Sequence, residues 1–351
     1  MKTKINQKTS PRWMTGIALC LTLCLGSHPS LGNTPNFRGK NPVPEPVPLE
    51  LRLPTNATSA EIQQALDQLP ASGGVVDLPS GIFTVTQPIV LQRDNQTLRG
   101  AGPSTILRLA AGADCPVIIL GQPVNYPRLN VRHLCLADLQ IDGNRHLQSR
   151  ELWKISGEGS EIRNNGVTIQ HVSDSLVDDV ICARCRSGGL VTTLDVNHLT
   201  VRKLTSFDNE FDGLACYETR HSTFTDLFLH DNPGAGISLD LAFNENSISN
   251  AFLLGNNLGV FMRASRDNQF YNVTIQNSHH FGVFMAGHLD QDARTECADN
   301  AFTNLSAANC GGPAFRVNNV TCTNNILIGA KFAKNLKGGL SLARPNLVTL
   351  E

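Results

Sequence analysis

Aromatic side chains make up only 6% of the 351 residues, and charged ones only 17%. No Lys/Arg-rich stripe follows residue 12, which excludes a dedicated nucleic-acid binder. No apolar run approaches the ~20 residues of a membrane-spanning helix, so a polytopic membrane protein is excluded too. There is no Gly-X-Y period and no sustained heptad, which removes collagen and coiled coil. An apolar content of 41% is in turn too high for a disordered chain. What remains is a folded protein rich in Gly and Asn.

The first residues have the pattern of a targeting segment. Lys2, Lys4, Lys8 and Arg12 precede a short apolar run, Ile17 to Gly26, and the small residues around Ser30-Leu31-Gly32 suit a signal peptidase. Residues 1–32 are therefore expected to be a removed signal peptide, and the mature protein to be secreted or periplasmic, with no stable membrane insertion after cleavage. Removal takes Lys+Arg from 29 to 25 while Asp+Glu stays at 30, a net charge of −5. Residues 33–57, with Pro42, Pro44, Pro46 and Pro48, read as a stiff extended leader.

Eight cysteines follow the signal: 115, 135, 182, 185, 216, 297, 310 and 322. An even number permits disulfides in an oxidising compartment, with Cys297 pairing either Cys310 or Cys322. Cys182-x-x-Cys185 has no second CxxC or HxxxH beside it, so structural thiols are expected rather than a zinc or redox site.

After Val75 helical periodicity disappears and short alternating strands take over. A Gly followed by an alternating apolar pattern recurs at Gly166 (GVTIQ), Gly189 (GLVTT), Gly213 (GLACY), Gly236 (GISLD), Gly259 (GVFMR) and Gly282 (GVFMA). The intervals are 23, 24, 23, 23 and 23. Three short strands per period make one turn of a parallel β-solenoid, in which each strand pairs with its equivalent about 4.8 Å away. Asn tolerates left-handed turns, and its amide can bond along the stack, so the Asn excess is architectural. An exposed N-terminal edge would recruit other strands. Residues 58–69 are predicted to close it as an amphipathic helix, with Thr58 and Glu61 as a capping box.

The segment Ile62-Gln-Gln-Ala-Leu, then Gly73-Gly74-Val-Val-Asp-Leu-Pro79-Ser-Gly81-Ile-Phe-Thr-Val, Ile89-Val-Leu and Thr97-Leu-Arg-Gly100-Ala-Gly102 resembles the entry to the pectate-lyase-like superfamily. Gln140-Ile-Asp142-Gly143-Asn144 is similar to its next turn. The resemblance spans roughly residues 58–345. It implies an all-β fold: a right-handed single-stranded parallel β-helix over 58–351, with an N-terminal capping helix. Signatures of individual enzymes are missing. The polygalacturonase Asn-Thr-Asp, Asp-Asp, Gly-His-Gly set and the pectate lyase Arg-x-Pro-x-x-Arg pattern do not occur, and Phe211-Asp212-Gly213-Leu214 stands without the Pro and His of an epimerase motif.

Strand alternation sorts the repeat into faces. Val167, Leu190, Leu214, Ile237, Val260 and Val283 point inward, and the second and fourth strand positions point outward. Tyr217, Asp240 and Arg263 then form one exposed row on consecutive turns. Arg263 would pair with a sugar carboxylate, Tyr217 would move the C5 proton, and Asp240 would orient Tyr217 or act as a second acid/base. His288, after the next strand, joins these as a catalytic candidate. Phe261, Phe284, Arg316 and Glu218 are the candidate substrate-binding residues, the two Phe rings offering a surface for sugar packing. The insertions 144–164 and 282–312 bring further polar side chains toward a binding face. No metal site is expected. Calcium is the one cation that Asp208, Glu210, Asp212 and Asp231 suggest, without a recognised loop spacing. The sequence reading is an exported protein acting on an acidic, uronic-acid-containing polysaccharide by lyase or C5-epimerase chemistry. Its alternatives are a hydrolase of the same fold, and a non-catalytic glycan-binding or surface structural solenoid.

Overall fold

The computed structural model describes residues 49–151, 162–287 and 296–351. The segment expected to be a signal peptide, the Pro-rich part of the expected leader up to residue 48, and His288 lie outside them. Within them the chain winds as a right-handed parallel β-solenoid of about 12 turns. Among the described residues three sheets run along its axis, with 16, 10 and 6 strands, and their strands pair in parallel.

The widest sheet is built from eight-residue strands such as Leu176–Ala183, Thr200–Phe207 and Thr223–His230. Each is bent once at a left-handed residue, in the column Asp179, Lys203, Asp226, Asn250, Asn272. Asp and Asn dominate that column because their short polar side chains tolerate positive φ better than other L residues. The central sheet carries the Gly repeat: Val167–Gln170, Leu190–Thr193, Leu214–Tyr217, Ala235–Asp240, Leu258–Met262, Val283–Met285 and Phe315–Val317. The narrowest sheet consists of two-residue strands such as Val172–Ser173 and Thr219–Arg220.

The repeat Gly that opens each central strand is crowded by the next turn. A Cβ on Gly213 would lie 3.0 Å from the Gly236 carbonyl oxygen, and one on Gly259 would lie 2.4 Å from that of Gly282. Close stacking of backbones, rather than positive φ, is what demands glycine there.

The interior is as the alternation requires. Val167, Leu190, Leu214, Ile237, Val260 and Val283 are fully buried, and so is Cys216. Phenylalanines fill the core beside the widest sheet, where Phe270 stacks on Phe302 at 4.2 Å. Two Asn ladders line the corners. Asn209, Asn232 and Asn256 bond along the axis at 3.0 and 2.9 Å. Asn246, Asn268, Asn300 and Asn325 do so at 3.3, 2.9 and 3.0 Å. In the second ladder Asn268, Asn300 and Asn325 each also donate to a backbone carbonyl, and each Oδ1 accepts a backbone N–H from the preceding turn. These buried amides are thereby satisfied, which is the condition for burying them without penalty. Asn268→Ala would strip the acceptor from two donors of Asn246 at once. It is expected to cost about 2–4 kcal/mol in denaturant unfolding, whereas Asn272→Ala on the exposed bend should cost less, about 1–2 kcal/mol, from placing Ala at positive φ and losing two solvent-exposed amide bonds.

At the N-terminal end helix α1, Ser59–Gln68, covers the core, with Ile62 and Leu66 fully buried and the Thr58–Glu61 capping box formed. The solenoid begins earlier than Thr58. Leu49–Arg52, assigned above to the leader, pairs in parallel with Gly74–Asp77. Its Leu51 packs on the core, so apolar alternation had already started there.

Candidate functional site

The central sheet places the outward columns in register. Thr168, Val191, Ala215, Ser238, Phe261, Phe284, Arg316 and Ser341 form one continuous column. In the other, Gln170 pairs with Thr193 and Tyr217 with Asp240. Arg263 follows on the next turn, its N–H donating to the Leu239 carbonyl at 2.8 Å.

The row is not uniformly exposed. Asp240 is 3% exposed, against the expectation of a solvated carboxylate. The Arg263 Nε donates to its Oδ2 at 2.8 Å, and Nη2 reaches the same oxygen. The other oxygen accepts the Leu241 N–H at 2.7 Å. Arg263 is thus ion-paired to its neighbour one turn back, with a third of its side chain still in solvent. Alternation sets which face a residue occupies. How deeply it is covered depends on what packs over that face.

Tyr217 and Glu218 open onto a cleft of ≈ 240 Å³ on the same face, toward the N-terminal turns. Gln170, Thr193, Arg163 and Tyr126 are among the residues of its walls. Glu218 sits at positive φ in the tight turn to the narrow sheet and lines the cleft. Burial raises its pKa above the ordinary carboxylate value, and Asp195 adds to this while Arg220 opposes it. Arg163 lies 3.6 Å from the buried Glu151 and over the Phe211 ring at 4.7 Å. Gln170, 2% exposed, donates to the Val124 carbonyl at 2.8 Å and so fixes the 121–130 connection that carries Tyr126.

Phe261 and Phe284 lie farther along the axis, half-buried, with ring centroids 6.0 Å apart. Phe281 joins them 5.0 Å from Phe284, and the Arg316 guanidinium sits 5.3 Å over the Phe281 ring. The sequence-predicted residues therefore occupy three successive stretches of one face: Tyr217 and Glu218 in the cleft, the Asp240–Arg263 pair, then the Phe261–Phe284–Arg316 patch. His288 is outside the described residues. Arg163 and Tyr126 were not singled out by sequence. Both come from connections outside the 23-residue period. The only signal for Tyr126 was the Pro123 to Pro127 stretch, which has loop composition.

The acidic residues suggested for calcium have separate partners. Asp208 pairs with Arg145 at 2.7 Å, Glu210 with Arg186 at 3.2 Å, and Asp231 with His230 at 2.7 Å. Asp212 accepts the Ala235 N–H at 2.6 Å. Among the described residues no group of three or more His, Cys, Asp or Glu is placed to hold a metal ion. Cys182 and Cys185 are fully buried, and burial pushes the Cys185 thiol up to about 12, so neither is poised as a thiolate.

Asp212 predicts a pH effect. Its pKa is pushed up to about 6, chiefly by burial, with the Ala235 N–H and Arg163 opposing. The folded value lies above the unfolded one of about 3.9. Its contribution is therefore fully present below about pH 4 and lost as pH rises through about 6. Asp212→Asn should flatten that loss, by about 1–2 kcal/mol after allowance for partial solvent screening, in urea melts at pH 4 and pH 7.

Comparison with known proteins gives a family and a fold. Residues 138–336 match the family described as "Periplasmic copper-binding protein (NosD)". No curated protein matches. Among solved structures, ORF18 of Geobacillus virus E2 superposes with a TM-score of 0.66 at 16% identity, covering 83% of this chain and 58% of that one. The chain thus spans little more than half the length of the viral protein. The A-module of the mannuronan C-5 epimerase AlgE6 of Azotobacter vinelandii gives 0.58 at 16% identity, covering 85% and 95%. Pectate lyase Pel9A gives 0.57 at 8% identity, covering 83% and 78%. At these identities the structural matches establish the parallel β-helix fold alone.

Proposed function

Because this chain belongs to the NosD family, we propose that it works outside the cytoplasm, and that the central-sheet face binds and transforms a uronic-acid-containing polysaccharide. The family description is periplasmic, in keeping with the export signal read in residues 1–32. No helix among the described residues is long and apolar enough to cross a membrane. N-terminal sequencing of protein recovered from the periplasm or medium should start near residue 33. An intact Met1 on protein retained in the cytoplasm would refute export.

The observation that supports the reaction is the cleft holding Tyr217, Glu218 and Arg163 together. A sugar carboxylate entering the cleft would share the Arg163 guanidinium with Glu151, and that positive charge would acidify the C5 proton. Tyr217 is the group to move that proton. Glu218, held protonated to higher pH than an ordinary carboxylate, is the group to donate one. Delivery to the glycosidic oxygen completes β-elimination, and delivery to the opposite face of C5 completes epimerisation. A second reading, glycan binding without turnover, is favoured by one observation: Asp240 and Arg263 neutralise each other.

The family name also implies copper. The described residues do not fit such a centre, since no three donor side chains converge and Cys182, Cys185 and Cys216 are enclosed thiols with raised pKa.

Incubation with polymannuronate, polyguluronate and polygalacturonate separates the readings. New ultraviolet absorbance from a C4–C5 double bond indicates a lyase, and an altered C5 proton spectrum an epimerase. Calorimetric binding without either indicates a binding protein. No heat and no reaction with any uronan would sink the proposal.

A further inference from the structure

From sequence, Cys297 had two equivalent partners, Cys310 and Cys322, and the tertiary structure distinguishes them. Residues 301–303 and 326–328 pair with an offset of 25, and the Asn300–Asn325 contact keeps that offset. It continues upstream, where Asn325 donates to the Cys297 carbonyl at 3.0 Å and the Asp299 N–H to the Thr323 carbonyl at 3.2 Å. Cys297 and Cys322 are therefore stacked on successive turns. The axial step of about 4.8 Å falls inside the Cα separation of about 4.4–6.8 Å that disulfides span.

Side-chain contacts agree. The Cys297 N–H lies 3.5 Å from the Cys322 sulfur, and both thiols reach the Ala286 carbonyl at 3.9 Å. Cys310 stands elsewhere. Its thiol faces the Ala308 carbonyl and its N–H bonds Asn335.

We infer that Cys297 and Cys322 form a disulfide that joins two successive turns near the C-terminal end of the solenoid. Both residues are fully buried in the folded chain, so the bond forms before these turns close. One thiolate attacks an exogenous protein or small-molecule disulfide, R–S–S–R, giving a mixed disulfide and releasing RS⁻. The second cysteine then displaces the remaining RS⁻. The two cysteine thiols lose two electrons and two protons, and R–S–S–R gains them as two RSH. The cross-link closes a segment of the chain and holds two turns that would otherwise be free to separate, as turns near the end of a repeat array do.

The test uses the full chain, recovered from an oxidising compartment and unfolded in the presence of an alkylating agent. Trypsin then yields one peptide of residues 295–316 and another of residues 317–331. The expected product is the two peptides joined, lighter than their sum by two hydrogens and separated by reductant. The link should persist in Cys310→Ser and vanish in Cys322→Ser. Reduction should lower the Tm of the wild type by several degrees and leave that of Cys322→Ser unchanged. Recovery of Cys297 and Cys322 both alkylated, or loss of the link in Cys310→Ser alone, would overturn the assignment. Should Cys322→Ser fail to fold, the wild-type and Cys310→Ser peptide maps still decide.

Discussion

Arg263→Ala is expected to destabilise the protein by about 2–3 kcal/mol in equilibrium unfolding. The substitution leaves the carboxylate of the buried Asp240 without its guanidinium. Breaking a fully buried pair costs about 3–5 kcal/mol. The figure here is lower because a third of Arg263 remains in solvent. An exposed residue would have cost at most about 1 kcal/mol, so the measurement separates the two placements. The double variant Arg263→Ala with Asp240→Asn should recover much of the loss, since it removes the uncompensated charge along with its partner. A strictly additive cycle would mean that the pair contributes nothing to the fold. The pair also sits one turn from Tyr217. Arg263→Ala should therefore weaken turnover of a uronan as well, and the Asp240→Asn background should not restore it.

Tyr217→Phe is expected to reduce turnover by about 10²–10⁴-fold, the range for loss of a positioned acid/base group. Only the hydroxyl of a half-buried side chain is removed, so the fold should be kept and the loss of stability stay within about 1.5 kcal/mol. Binding of the same uronan should persist. Glu218→Gln tests the second proton. A donor must be protonated, so activity should fall as pH rises through the raised Glu218 pKa, and that fall should be absent in Glu218→Gln, whose rate is low throughout. Equal turnover by wild type and Tyr217→Phe would remove Tyr217 from the chemistry. Equal loss of binding and turnover would make it a contact residue.

The fold was legible because its determinants repeat. An interval of 23 residues, a glycine before each strand, and alternating apolar residues recur together turn after turn and mark the same local geometry. Thr58 and Glu61 marked the capping helix for the same reason, since a capping box acts within one turn of helix. Register followed as well: Tyr217 and Asp240 are paired as spacing required.

What the repeat could not convey is what lies over the outer face. The positions of Arg163 and Tyr126 in the cleft wall come from connections that obey no period, and Asp240 is buried with Arg263 of the next turn paired to it. The strand Leu49–Arg52 is one partner of a pairing whose other half lies 25 residues later, so a local reading placed it in the leader. The choice of Cys322 over Cys310 likewise depends on the offset between two turns. Periodicity determines direction and spacing along the axis. Burial, charge pairing and sulfur contact are set by residues distant in sequence, which only the folded chain brings together.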